Sequence, residues 1–180
     1  MRDRISINEN EHELSIVIKA LKDDKKQQLL LVWIVLFSIC GLIIFTQFFG
    51  HYNTSSKIFF AVYMAFWLFF EFKVIYAYRW RKKGLEKIIL TKEELILIKE
   101  IGRRGITQKY KGEEIKGLDI FKNPDSSFFK SINTSYWNIN KYSLAFYANE
   151  VLVPFAIDLD DQQAKKVLKS IKLYRKKQVS

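Results

Sequence analysis

Cysteine is nearly missing from this 180-residue chain, at one residue; proline and histidine are almost as scarce at two each, and there are seven glycines. A single cysteine excludes an intrachain disulfide framework. So little glycine and proline excludes a collagen-like repeat or a flexible low-complexity chain. The histidines, His12 and His51, lie in separate regions, and no H-E-x-x-H pair, G-x-S-x-G element or glycine-rich phosphate loop occurs. No catalytic residue, metal ligand or cofactor is assigned, and a non-enzymatic protein is expected. Acidic charge is also short: 30 Lys and Arg stand against 19 Asp and Glu, a net charge of +11.

What the chain has in excess is aromatic and aliphatic residues, gathered into two runs. Residues 29–49 (LLLVWIVLFSICGLIIFTQFF) carry no charge. At about 1.5 Å rise per residue such a helix matches the roughly 30 Å hydrocarbon core of a bilayer. The polar start of the chain, MRDRISINENEHELS, is unlike a signal peptide. A second run over residues 56–76 is dense in phenylalanine and is interrupted near its end by Glu71 and Lys73. Lys73 can snorkel to the headgroups, where Tyr76, Tyr78 and Trp80 suit an interfacial belt. Glu71 lies deeper, where a carboxylate is costly unless satisfied. It is either a polar site for a partner subunit or an ion, or an interfacial carboxylate reaching water or a nearby arginine.

The short link over residues 50–55 predicts an antiparallel transmembrane hairpin within 28–80. Equal depth would set Ser38 and Gly41 beside Ala61 and Ala65, small residues of the kind that let membrane helices approach closely. Lys19, Lys22, Lys25 and Lys26 precede the first run and Arg79, Arg81, Lys82, Lys83 and Lys87 follow the second, whereas the link offers Lys57 alone. The positive-inside rule then places both termini in the cytoplasm, in a multi-pass protein of the cytoplasmic (inner) membrane. Cys40 falls within the first span.

Residues 1–27 balance six basic against six acidic residues. Leu14, Val17, Ile18 and Leu21 fall at helical spacing, so an amphipathic leader is expected, on the inner membrane surface or against the cytoplasmic domain. A polar leader with one docking turn fits the same residues.

From residue 84 the period changes. EKIILT, ELILIKE, TQKYK, EIKGLDIF, YSLAFYA and VLVPFA are short β-rich runs separated by turn signals, and INTSYWNI is a candidate seventh strand. Their spacing predicts an antiparallel meander, with Pro154 confined to an edge or a bulge because it lacks an N–H donor. One helix follows. Asp160 is its expected N-cap with Gln163 three residues on, Ala164, Val167, Leu168, Ile171 and Tyr174 form its apolar face, and cations crowd its end. N-capping accounts for Asp158, Asp160 and Asp161 better than a metal cluster does. The expected fold class is an α+β membrane protein: a helix hairpin followed, over 84–180, by a PH-like antiparallel barrel or sandwich with one C-terminal helix.

The order of a two-helix hairpin, a G-x-E-x-I element (Gly84, Glu86, Ile88), ELILIKEIGRRG, an I-x-x-L strand (Ile115, Leu118) and LAFYANEVLVPFAIDLDDQQAKKVL resembles small bacterial membrane proteins. In that family a transmembrane hairpin carries a cytoplasmic bacterial PH-like domain. The family's F-G-x-x-L-D-x-x-E-A pattern is altered, with Phe155-Ala156-Ile157-Asp158-Leu159-Asp160 and Gln163-Ala164 in place of its Gly and Glu. The resemblance covers about residues 30–172 and implies fold and topology rather than a reaction.

Two binding features remain. The Gly102-Arg103-Arg104-Gly105 turn sets two guanidinium groups at a hairpin tip, suited to phosphate on an anionic lipid, or simply solvated. Phe128, Phe129, Tyr136 and Trp137 lie in a polar stretch, as a partner surface, a membrane wedge or a cap on the barrel. Nucleic acid is not expected, because an anionic inner leaflet accounts for the charge. From residue 79 onward there are 22 basic and 12 acidic residues. The expected function is a membrane-held module binding a protein partner or anionic lipid; the alternative is an accessory subunit of a membrane transport or secretion complex.

Overall fold

The computed structural model describes residues 4–121, 136, 138, 139 and 141–179. Phe128, Phe129, Trp137 and the INTSYWNI run, apart from Tyr136, Asn138 and Ile139, lie outside them. The chain divides into two compact units: one holds the strands and the C-terminal helix, the other is Lys22–Arg81.

The expected leader helix is corrected by the structure. β1 (Ile5–Glu9) and β2 (Leu14–Lys19) form an antiparallel hairpin. Its turn is made by Asn10, whose side-chain oxygen accepts from the backbone N–H of His12 (2.9 Å) and Glu13 (2.7 Å). Leu14, Ile16 and Ile18 alternate inward and are buried. The same stretch supports a helical reading through Leu14, Val17, Ile18 and Leu21, but a strand period of two with β-branched residues wins once a partner strand is available. That partner is β3 (Gly84–Leu90), in register Leu14↔Leu90 through Lys19↔Leu85. The N-terminal segment is therefore an integral part of the sheet.

β4 (Glu94–Ile101) and β5 (Arg104–Lys111) complete a five-stranded antiparallel sheet in the order β1-β2-β3-β4-β5. A 3₁₀ turn at Gly112–Glu114 leads to β6 (Ile115–Ile120), which pairs with β7 (Tyr142–Ala148), and that with β8 (Val151–Ile157), as a second sheet. The strands are antiparallel as the spacing predicts, and Pro154 lies on β8, an edge strand. The barrel expectation is corrected: among the described residues no ladder joins β5 to β6, and the two sheets do not close into a barrel. β5 is exposed along most of its length, with Ile106 73% exposed.

The C-terminal helix, α3 (Asp161–Val179), opens with a reciprocal capping box. The Asp160 carboxylate accepts from the Gln163 N–H (2.7 Å) and the Gln163 side-chain oxygen from the Asp160 N–H (3.4 Å). Ala164, Val167, Leu168, Ile171 and Tyr174 are all buried in one core with Leu14, Ile16, Ile88, Leu144, Phe146 and Phe155.

The other unit contains the two long helices. α1 (Asp24–Thr46) is capped by Asp23, whose side chain accepts from Lys26 N–H (3.1 Å); α2 (Thr54–Lys83) starts after Asn53, which accepts from Ser56 N–H (2.9 Å). Both are long and apolar enough to cross a membrane, and little of either apolar run is buried. The buried residues of α1 are Gln27 and Gly41; those of α2 include Glu71.

Candidate functional site

The register of the five-stranded sheet decides which residues share its ends. β2 leaves at Lys19 toward α1, β3 enters at Gly84 from α2, and the Ala20 N–H donates to the Gly84 carbonyl (3.0 Å). At that same end β4 turns into β5. Gly102 (φ +57°) and Arg103 (φ +76°) are the two central residues of this hairpin, and Ile101 pairs with Arg104. Two successive left-handed residues are the type I′ geometry that suits strand twist. Gly102 meets the conformational demand freely, Arg103 at a cost. Gly105 answers a different need: a Cβ there would come within 2.7 Å of the Lys99 carbonyl.

The Gly102 N–H reaches the carbonyl of Lys83 (3.4 Å), the last residue of α2, so the turn sits against the point where that helix becomes β3. Lys82, Lys83, Arg103 and Arg104 are all exposed. The neighbouring acid, Glu100, is engaged: Lys87 Nζ donates to it at 2.9 Å. That bond, helped by the Arg103 backbone N–H, holds the Glu100 carboxyl below the usual glutamate range. The two arginines are thus brought together with the α2 end, a neighbourhood that their separation in sequence conceals.

In the helical unit Ser38 Oγ donates to Glu71 Oε1 at 2.6 Å, and Glu71 is 5% exposed. Its Oε2 is buried and without a hydrogen-bond partner among the described residues. Among the described residues Glu71 is thus satisfied at one oxygen, by Ser38. Lys73 lies instead over the Phe69 ring, 4.8 Å from its centroid. Gly41 does not meet an alanine: a Cβ on it would collide with the indole of Trp67, whose Nε1–H donates to the Phe37 carbonyl at 3.0 Å. Ala61 and Ala65 are exposed. Aromatic bulk, rather than an alanine pair, fills the space beside Gly41.

Sequence reasoning passed over a second buried carboxylate. Glu86 on β3 is fully buried and accepts from the backbone N–H of Ala156 (3.1 Å) and Ile157 (2.8 Å) on β8. Arg4 also reaches this corner, donating to the Asp158 carbonyl at 2.9 Å. Ala156 (φ +60°) and Asp158 (φ +56°) are both left-handed there. Burial pushes the Glu86 carboxyl up, against the two N–H donors and the Lys99 charge. A visible signal existed: in the alternation of Gly84, Glu86, Ile88 and Leu90, Glu86 is a lone charge on the inward face.

No family model, curated protein or solved structure matches the chain.

Proposed function

We propose that this chain is a non-enzymatic protein of the cytoplasmic membrane. α1 and α2 cross the bilayer as an antiparallel hairpin, and the sheets with α3 form a PH-like module at the cytoplasmic face that binds a protein partner or anionic lipid headgroups. The observation that carries the reading is the β2–β3 ladder. Lys19 and Leu85 are paired neighbours, so they lie on one side of any membrane and the intervening chain crosses it an even number of times. Two helices long enough to span fill that interval. Their burial supports the same reading: a core helix of a soluble protein hides its apolar residues, whereas here Leu29, Leu36, Leu42, Phe59, Phe66 and Phe72 are exposed while Gln27 and Glu71 are buried. A cleaved signal sequence fits poorly with strands that precede α1 and pair across it.

Protease protection of the full chain in sealed inner-membrane vesicles, with a tag at each terminus, tests this. Both tags are expected to be accessible from the same side; opposite sides would overturn the layout. The second reading, an accessory subunit of a larger membrane complex, is favoured by the unpartnered Glu71 Oε2. Stoichiometric co-purifying membrane subunits in mild detergent would select it.

A further inference from the structure

We infer that Lys83, Arg103 and Arg104 form a rim that takes the phosphate of an anionic phospholipid headgroup. The inference rests on the membrane reading above and names the ligand of that module. Three observations carry it. The turn occupies the end of the sheet to which both apolar helices connect, because Ala20 bonds to Gly84 and Gly102 to Lys83. The Lys83 stem runs beside the turn, with its Cδ 3.7 Å from where a Gly102 Cβ would stand, so an ammonium and two guanidinium groups belong to one surface. Finally, Glu100 is paired with Lys87, which leaves the rim's positive charge uncompensated by its nearest acid.

The opposite end of the same sheet has a different character. Its turns carry Glu11, Glu13, Glu93, Glu113 and Glu114 against the cations Lys92 and Lys111. The cationic end of α3 is there too: Lys177 pairs with Glu9 at 2.6 Å, and Arg175 donates to the Gly112 carbonyl at 3.2 Å. The start of α3 brings Asp160 toward the rim's end of the module, but that carboxylate is occupied as the helix cap. The domain's large basic excess is therefore divided. On α3, Lys172 and Lys177 meet carboxylates and Arg175 a carbonyl, whereas Arg103 and Arg104 at the β4–β5 turn are exposed. Arginine presents a planar fork of donors to phosphate, and each basic group near an anionic bilayer strengthens association about fivefold.

The test uses the full chain reconstituted in phosphatidylcholine vesicles with a minor fraction of spin-labelled phosphatidylglycerol or spin-labelled phosphatidylcholine. The protein is expected to immobilise the anionic label preferentially. Arg103→Asn with Arg104→Gln should lower that preference by an order of magnitude or more, while Lys92→Gln with Lys111→Gln, at the opposite end, should leave it unchanged. Asparagine is chosen at 103 because it tolerates the left-handed backbone. Equal loss in both double variants would reduce the effect to net charge and overturn the site. Full displacement of the labelled lipid by millimolar inorganic phosphate would assign the rim to a free anion instead. An alkaline carbonate wash separates the two levels: release of the protein overturns the membrane reading, whereas retained protein with no anionic preference overturns the rim alone.

Discussion

Glu86 and Ile157, 71 positions apart, are joined by a 2.8 Å hydrogen bond from the Ile157 backbone N–H to a carboxylate oxygen with no exposure to solvent. The other oxygen takes the Ala156 N–H. One side chain of the five-stranded sheet thereby satisfies two donors of the three-stranded sheet, at the corner from which the chain leaves for α3.

Glu86→Ala should lower stability by about 2–4 kcal/mol, since it leaves two buried donors unsatisfied and removes the packing of the stem. Urea denaturation of the detergent-solubilised chain measures it. Because burial raises the folded-state value, the folded protein holds the Glu86 proton more tightly than the unfolded chain does. The contribution is therefore fullest below the unfolded value of about 4.3 and is lost as pH rises through the higher folded value. Glu86→Gln is expected to flatten the fall in stability across that window; an unchanged slope would contradict the assignment.

Ala156→Gly is expected to stabilise the protein by about 0.5–1 kcal/mol. The left-handed backbone at φ +60° penalises a Cβ, and glycine removes that penalty at some entropic cost. A lowered denaturation midpoint would show that the alanine methyl, buried in the core, matters more than the backbone.

Replacing residues 22–81 by a short turn should give a folded domain that needs no detergent, because Lys19 and Leu85 are already paired neighbours. Circular dichroism should retain the strand signal and lose much of the helical one. A fragment limited to residues 84–180 should fail: it lacks β1 and β2, and so strips Ile88 and Leu90 of the Leu14, Ile16 and Ile18 contacts in the core. Equal solubility and cooperativity of the two fragments would contradict the role of the N-terminal hairpin.

Gly41→Leu should loosen the association of α1 with α2, because any side chain there displaces the Trp67 indole. Ala65→Phe, on an exposed position, should be tolerated. Ser38→Ala should cost about 1–2 kcal/mol by removing the donor to Glu71. Thermal unfolding in detergent, followed by circular dichroism, distinguishes the three.

Local pattern made much of this architecture readable. The length and purity of the apolar runs, the Asp160–Gln163 cap and the Ala164-to-Tyr174 face all depend on residues close in sequence, and the structure has them as expected. The failures involve distance. Leu14 to Leu21 satisfies both a helical and a strand period, and pairing with β1 on one side and with β3, more than 60 residues later, on the other decides between them. The partner of Gly41 could not be read from depth alone, because rotation about the helix axis selects Trp67 over an alanine. The arginine turn was visible as a motif, but its setting beside Lys83 is a product of strand register.

The β2–β3 ladder also imposes a schedule on biosynthesis. At roughly 5–20 residues per second, about 3 to 13 seconds separate the synthesis of Lys19 from that of Leu85. Throughout that interval the inward-facing Leu14, Ile16 and Ile18 have no third strand to cover them. The sheet is completed only when the chain has returned from its excursion through α1 and α2. Closure of the ladder therefore waits on a strand more than 60 residues downstream, so the N-terminal hairpin gains its second neighbour only after α1 and α2 have been made.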